Sequence, residues 1–117
     1  VRRFVGGGDK YHLAQQCALA RLPAPEFEVL FHPTRKWKID VAWPAVKFGI
    51  EIDGGVFLQH ADGRVGGRHN FGAGYRNDIE KFFEAAILGW RLVRVLPEHI
   101  TSGQALSWAE HILREGS

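Results

Sequence analysis

Asp40 and the run Glu51-Ile52-Asp53 are the residues of this chain whose types and spacing can do chemistry. Carboxylates gathered on one patch of a sheet can share a divalent cation. The flanking sequence predicts such a gathering. Residues 36–43 (KWKIDVAW) and 46–53 (VKFGIEID) alternate polar and apolar with a period of two, the pattern of half-buried strands. If Pro44-Ala45 closes a two-residue hairpin, Trp43 faces Val46, Val41 faces Phe48, Ile39 faces Ile50 and Trp37 faces Ile52. One face is then apolar throughout, which favours this register over a one-residue slip. On the other face Asp40 lies opposite Gly49, with Glu51 on the diagonal, roughly 7–8 Å away at Cα.

The preceding segment, Glu26 to Phe31, alternates as well. A loop at Pro33-Thr34-Arg35 pairs Phe27 with Val41, Val29 with Ile39 and Phe31 with Trp37. That register puts Glu28 directly opposite Asp40. Like charges facing each other across a ladder are destabilising, so a folded sheet needs something to compensate them. A bound metal would do so. Cross-strand ion pairs are the alternative, because the same registers set Lys38 opposite Glu51 and Lys36 opposite Asp53.

The elements that must position these residues form one domain over 1–117, large enough for a core but not for two. Apolar content of 45% and charged content of 24% are those of an ordinary globular domain. The single cysteine, Cys17, excludes an intramolecular disulfide and fits a reducing, cytoplasmic setting. No apolar run reaches the roughly 18–20 residues of a membrane span. A net charge of +2 does not by itself argue for nucleic acid. Placement says more: Arg35, Lys36, Lys38 and Lys47 lie near the acidic patch, and Arg64, Arg68 and Arg76 lie in or beside one loop. Positive charge around an acidic centre is what a site for a polyanion and a cation needs.

Along the chain, residues 1–8 read as a flexible lead-in. Asp9 caps a helix over about 10–21 with Leu13, Cys17 and Ala20 on one face, ended by Pro23 and Pro25. The three strands follow, and then residues 54–75 hold seven of the fourteen glycines with no periodicity. A loop of that length inside one domain is uncommon and usually functional. Asn77-Asp78-Ile79-Glu80 opens a helix running to Leu88, stopped by Gly89. Trp90–Leu96 is a fourth strand ended by Pro97, and Thr101-Ser102-Gly103-Gln104 opens a last helix carrying Ala105, Leu106, Ala109, Ile112 and Leu113. The fold class is α/β (α+β), in the order α-β-β-β-α-β-α, with a mixed four-stranded sheet flanked by helices.

Asp on the second strand, Glu-x-Asp-Gly-Gly at the end of the third, then Gly-Arg-His and Gly-Trp-Arg-x-x-Arg, in that order over about residues 26–97, resembles the PD-(D/E)xK nuclease superfamily. The likeness is to its small single-domain bacterial and phage members, including very-short-patch-repair-like endonucleases. It implies a restriction-endonuclease-like core and a metal-dependent endonuclease acting on DNA, with RNA not excluded. It makes Asp40 and Glu51 ligands of Mg²⁺ or Mn²⁺, with the carbonyl of Ile52 a third. The sequence departs from the pattern at position 53, where the superfamily name promises lysine and Asp53 stands. Two explanations compete: Asp53 as a further metal ligand, and a positive charge supplied instead from the following helix, where the candidate is Lys81, which shares a helix face with Asp78, Ala85 and Leu88. His69 can act as general base or hold the scissile phosphate. Arg64, Arg68, Arg76 and Lys38 are suited to phosphate contacts. Glu28 joins the metal site by register rather than by resemblance.

Two other readings compete: a catalytically silent nucleic-acid-binding module on the same fold, and a plain α+β interaction domain with ion-paired strands. A monomer of 117 residues would cover little DNA, which leaves room for a homodimer or a larger parent protein.

Overall fold

The computed structural model describes residues 7–54 and 73–115. Its elements are helix α1 (Gly7–Leu19), strands β1 (Glu26–Leu30), β2 (Lys38–Trp43) and β3 (Phe48–Ile52), helix α2 (Ala73–Ile87), strand β4 (Arg91–Val95) and helices α3 (Pro97–Thr101) and α4 (Gln104–Glu115). The four strands form one mixed sheet in the order β1-β2-β3-β4. The first three make an antiparallel meander, and β4 runs parallel to β3 after the crossover through α2.

One face of the sheet is apolar because alternate residues of β2 and β3 are. Val41, Trp43, Phe48 and Ile50 meet Leu13 and Cys17 of α1, Ile100 of α3, and Ala105, Ala109 and Leu113 of α4 in a single buried cluster. Trp43 stacks on Phe48 with ring centroids 5.1 Å apart and donates its indole N–H to the Pro23 carbonyl at 2.8 Å. Helix α1 ends where Arg21 takes a left-handed φ of 61° and the Leu22 N–H turns back to the Cys17 carbonyl. Helix α2 ends likewise at Gly89 (φ 85°), and Lys47 donates to the Leu88 carbonyl at 3.0 Å, a cation at the negative end of the helix.

The β1–β2 register is the expected one, with Phe27 opposite Val41 and Val29 opposite Ile39; Phe31 stacks on Trp37 beyond the strand ends. The β2–β3 register is not. Trp43 pairs with Phe48, Ala42 with Gly49 and Val41 with Ile50, a shift of two residues. The cause is the connection. Pro44–Val46 form a turn of 3-10 helix, and Lys47, at φ 51°, closes it by donating to the Pro44 carbonyl at 3.1 Å. The hairpin therefore needs four residues, not two. The even shift moves no β3 side chain to the other face. The expected single apolar face does not, however, extend along β2. Val41 and Trp43 join the core, whereas Ile39 packs on the side of Gly49 and Leu92 and the Trp37 indole reaches Asn77 of α2. Gly49 consequently faces Ala42 rather than Asp40. Its missing Cβ makes room for Ile39, whose Cγ2 would lie 2.7 Å from a Cβ built there.

Helix boundaries differ too. Helix α1 starts at Gly7, inside the expected lead-in, and α2 starts at Ala73, so that Ala73–Tyr75 are helical and Arg76 and Asn77 lie within the helix. Pro97 begins α3 as well as ending β4, which adds a helix to the expected order. Among the described residues no helix is long and apolar enough to cross a membrane.

Candidate active site

The two-residue shift brings the site together more tightly than the sequence pattern predicts. Continuing the β2–β3 register from Val41–Ile50 sets Asp40 directly opposite Glu51. The regular ladder stops there, and the two carboxylates bond to main chain across the gap. Asp40 Oδ2 accepts from the Ile52 N–H at 2.8 Å, and Glu51 Oε2 faces the Asp40 N–H at 3.4 Å. Each acid is thus aimed by the neighbouring strand. Asp40 Oδ1 and Glu51 Oε1 stay outside these bonds.

Lys81 arrives from the other side of the sheet. Helix α2 buries Lys81 and Ala85, four residues apart and so on one face, against the strands. Lys81 is 7% exposed, the one charged residue among the buried described positions. Its ammonium donates to Glu51 Oε2 at 2.8 Å and to the Lys38 carbonyl at 2.6 Å. Neighbouring contacts fix the helix: Trp37 Nε1 donates to Asn77 Oδ1 at 3.1 Å, and His32 Nε2 meets Glu84 Oε1 at 3.1 Å. Burial pushes the Glu51 carboxyl above its ordinary value; the Lys81 bond and charge pull it back, and the Asp40 charge adds to the rise.

Glu28 does fall opposite Asp40 in register, but at a cost to the backbone. It takes φ 52°, a left-handed conformation unusual for a non-glycine residue. Its carboxylate is held by Lys10 of α1. The hydrogen bond that Lys10 donates to Glu28 raises the Lys10 ammonium above its ordinary value; burial opposes the rise, and the charges of Glu28, Tyr11 and Asp40 add to it. Lys10 is the member of the site that sequence reasoning missed. The signal was there in the spacing, since Lys10 precedes Leu13 by three and Cys17 by seven and so lies on the buried stripe of α1.

Asp53 is placed at the end of β3, with Arg94 Nε 3.5 Å from its Oδ2; the same guanidinium donates to Asp78 Oδ2 at 3.0 Å and lies over the Phe82 ring. The alternative cross-strand pairs of Lys38 with Glu51 and Lys36 with Asp53 do not form: the side chain of Lys38 is exposed and only its carbonyl joins the site, and Lys36 is exposed as well. Arg76 is exposed on α2. Arg64, Arg68 and His69, with most of the glycine-rich loop, lie outside the described residues.

Among the described residues no three His, Cys, Asp or Glu side chains converge as a metal cluster. A divalent cation here would be held by the Asp40 and Glu51 carboxylates, with main chain, water or substrate completing its shell. That donor set fits Mg²⁺, which commonly takes one or two carboxylates and keeps several waters. Compared with known protein families, curated proteins and solved structures, the chain shows no match to any of them.

Proposed function

We propose that the chain is a metal-dependent phosphodiesterase of restriction-endonuclease-like architecture that hydrolyses DNA. The observation that carries this reading is the convergence of Asp40, Glu51 and Lys81 where β2 and β3 part. A buried lysine delivered by the crossover helix, bonded to a strand carboxylate, fills the place in the chemistry that Asp53 leaves vacant.

A Mg²⁺ or Mn²⁺ ion bound by Asp40 and Glu51 would lower the pKa of a bound water and offset charge on the phosphate. The protein's own residues do the rest. The Ile52 N–H fixes the direction of the Asp40 carboxylate, and the Asp40 N–H and Lys81 fix that of Glu51. The Lys81 ammonium, immobilised by the Lys38 carbonyl, offers a fixed positive charge where negative charge develops in the transition state. Asp53, paired with Arg94, holds that arginine at the rim, where a guanidinium suits a phosphate.

The plain interaction-domain reading draws support from the same ion pairs, since Lys10–Glu28 and Lys81–Glu51 balance much of the acidic patch without a metal. One experiment separates the readings. The protein is incubated with linear, nicked, mismatched and four-way-junction DNAs, with and without Mn²⁺, alongside a thermal melt in Mn²⁺. Cleavage that requires Mn²⁺ supports the nuclease. A melting temperature indifferent to Mn²⁺, with no cut in any DNA, refutes it.

A further inference from the structure

The acidic centre comes with cations of its own. Glu28, Asp40, Glu51, Asp53 and Asp78 contribute five negative charges, and Lys10, Lys81 and Arg94, each engaged with one or more of them, contribute three positive. Two negative charges remain, the charge of one divalent cation. Two such ions would leave the centre strongly positive before any substrate arrived.

We propose that Lys10 stands in for a second divalent cation, so that the centre takes one Mg²⁺ or Mn²⁺ per chain and not two. The proposal rests on the nuclease reading and concerns how that site is loaded. Glu28 and Asp40 face each other across β1 and β2, as the pairs on either side of them show. Two facing carboxylates are a place where a second ion would settle. Lys10 reaches it from α1, bonds to Glu28, and is itself only 14% exposed along its side chain. A fixed ammonium at this position repels a second cation by its charge.

The backbone supports the same assignment. The β1–β2 ladder pairs residues 27 and 29 with 41 and 39 but omits 28, where the left-handed φ of Glu28 interrupts the strand. A strained non-glycine residue persists only where its surroundings over-determine it, and such residues cluster at functional sites. Lys10 is the side chain that meets Glu28 there.

The test counts bound Mn²⁺ on the intact chain by titration calorimetry and by paramagnetic resonance of the free ion, with circular dichroism to verify the fold. The parent chain binds one Mn²⁺. Lys10→Met, which keeps the length and removes the charge, binds two, whereas Lys10→Arg binds one. A Lys10→Met protein that still binds one ion, or a parent chain that binds two, overturns the proposal. Should Lys10→Met fail to fold, Glu28→Gln supplies the second measurement: Lys10 is then left to Asp40 alone, and the affinity for the single ion falls about tenfold. An unchanged affinity in Glu28→Gln also overturns the proposal. A parent chain with no affinity for Mn²⁺ is a different result, which removes the nuclease reading and this inference with it.

Discussion

Lys81→Met tests the centre of the site through folding stability, without any substrate. Methionine keeps the length and the apolar stem but deletes the ammonium, and with it the bonds to Glu51 and to the Lys38 carbonyl. The Glu51 side chain is 14% exposed, so it remains an almost buried carboxylate that has lost its only cationic hydrogen-bond donor among the described residues. Removing one partner of a buried pair costs about 3–5 kcal/mol. The surviving Asp40 N–H bond is long, so it offsets little, and we expect a loss of about 3 kcal/mol at neutral pH. For a domain of this length that corresponds to a fall of about 12 °C in Tm.

The loss should depend on pH, with a sign set by Glu51. Its folded-state pKa lies above the unfolded value, so ionisation of Glu51 opposes folding as pH rises through the folded pKa. Lys81 is what holds that pKa down, and without it the pKa climbs further. The gap between variant and parent is therefore small below the ordinary glutamate range and widens with increasing pH. Urea denaturation followed by fluorescence of the buried Trp37 and Trp43, at pH 4, 6 and 8, measures it. A gap below about 1 kcal/mol at pH 8, or one equal at pH 4 and pH 8, would refute the reasoning, because exposed pairs behave that way.

Three further outcomes are expected. Asp40→Asn should abolish Mn²⁺-dependent cleavage while keeping stability within about 1 kcal/mol of the parent, since the amide oxygen can still accept from Ile52 and a like charge beside Glu51 is gone; cleavage near the parental rate would sink the metal-site assignment. Gly49→Ala should destabilise by about 1–3 kcal/mol in chemical denaturation, because the new methyl meets Ile39 at 2.7 Å and Leu92 at 3.2 Å. Cys17 is fully buried and burial pushes its thiol up to about 11, so a disulfide-exchange reagent at pH 8 should label it only at the rate of unfolding; rapid labelling of the folded protein would contradict the packing of α1.

The meander was readable because its alternation is long, although the row does not keep one face: Val41 and Trp43 enter the core while Ile39 and Trp37 pack on the α2 side. The alternation fixed β1–β2 to the residue. It left β2–β3 uncertain by an even number, since a slip of two moves no side chain to the other face. The choice was made by the turn, where Pro44 seeds a 3-10 helix and a lysine rather than a glycine takes the left-handed position. No residue type announces that. The start of α2 was hidden by Gly72 and Gly74, which weigh against helix in any local reading. Pro97 was read as a strand breaker when it is equally a first-turn helix residue. Lys81 could be reached from its spacing to Ala85, because a helix crossing a sheet buries one face. Lys10 lay on the stripe of Leu13 and Cys17, but its partner is set by how α1 packs on the sheet, which no local pattern contains.

The placement of the two lysines has a consequence for how the chain folds. The meander is built from neighbours in sequence and is the part that can form soonest. Formed alone, it would bring Glu28, Asp40 and Glu51 together with no cation enclosed among them. The two that relieve this crowding come from α1, which precedes the meander, and from α2, which follows it. Strand register and helix docking therefore reward each other, and neither is stable before the other. A fragment cut to residues 22–54 should fail to hold its register near neutral pH, and the whole domain should unfold in one transition.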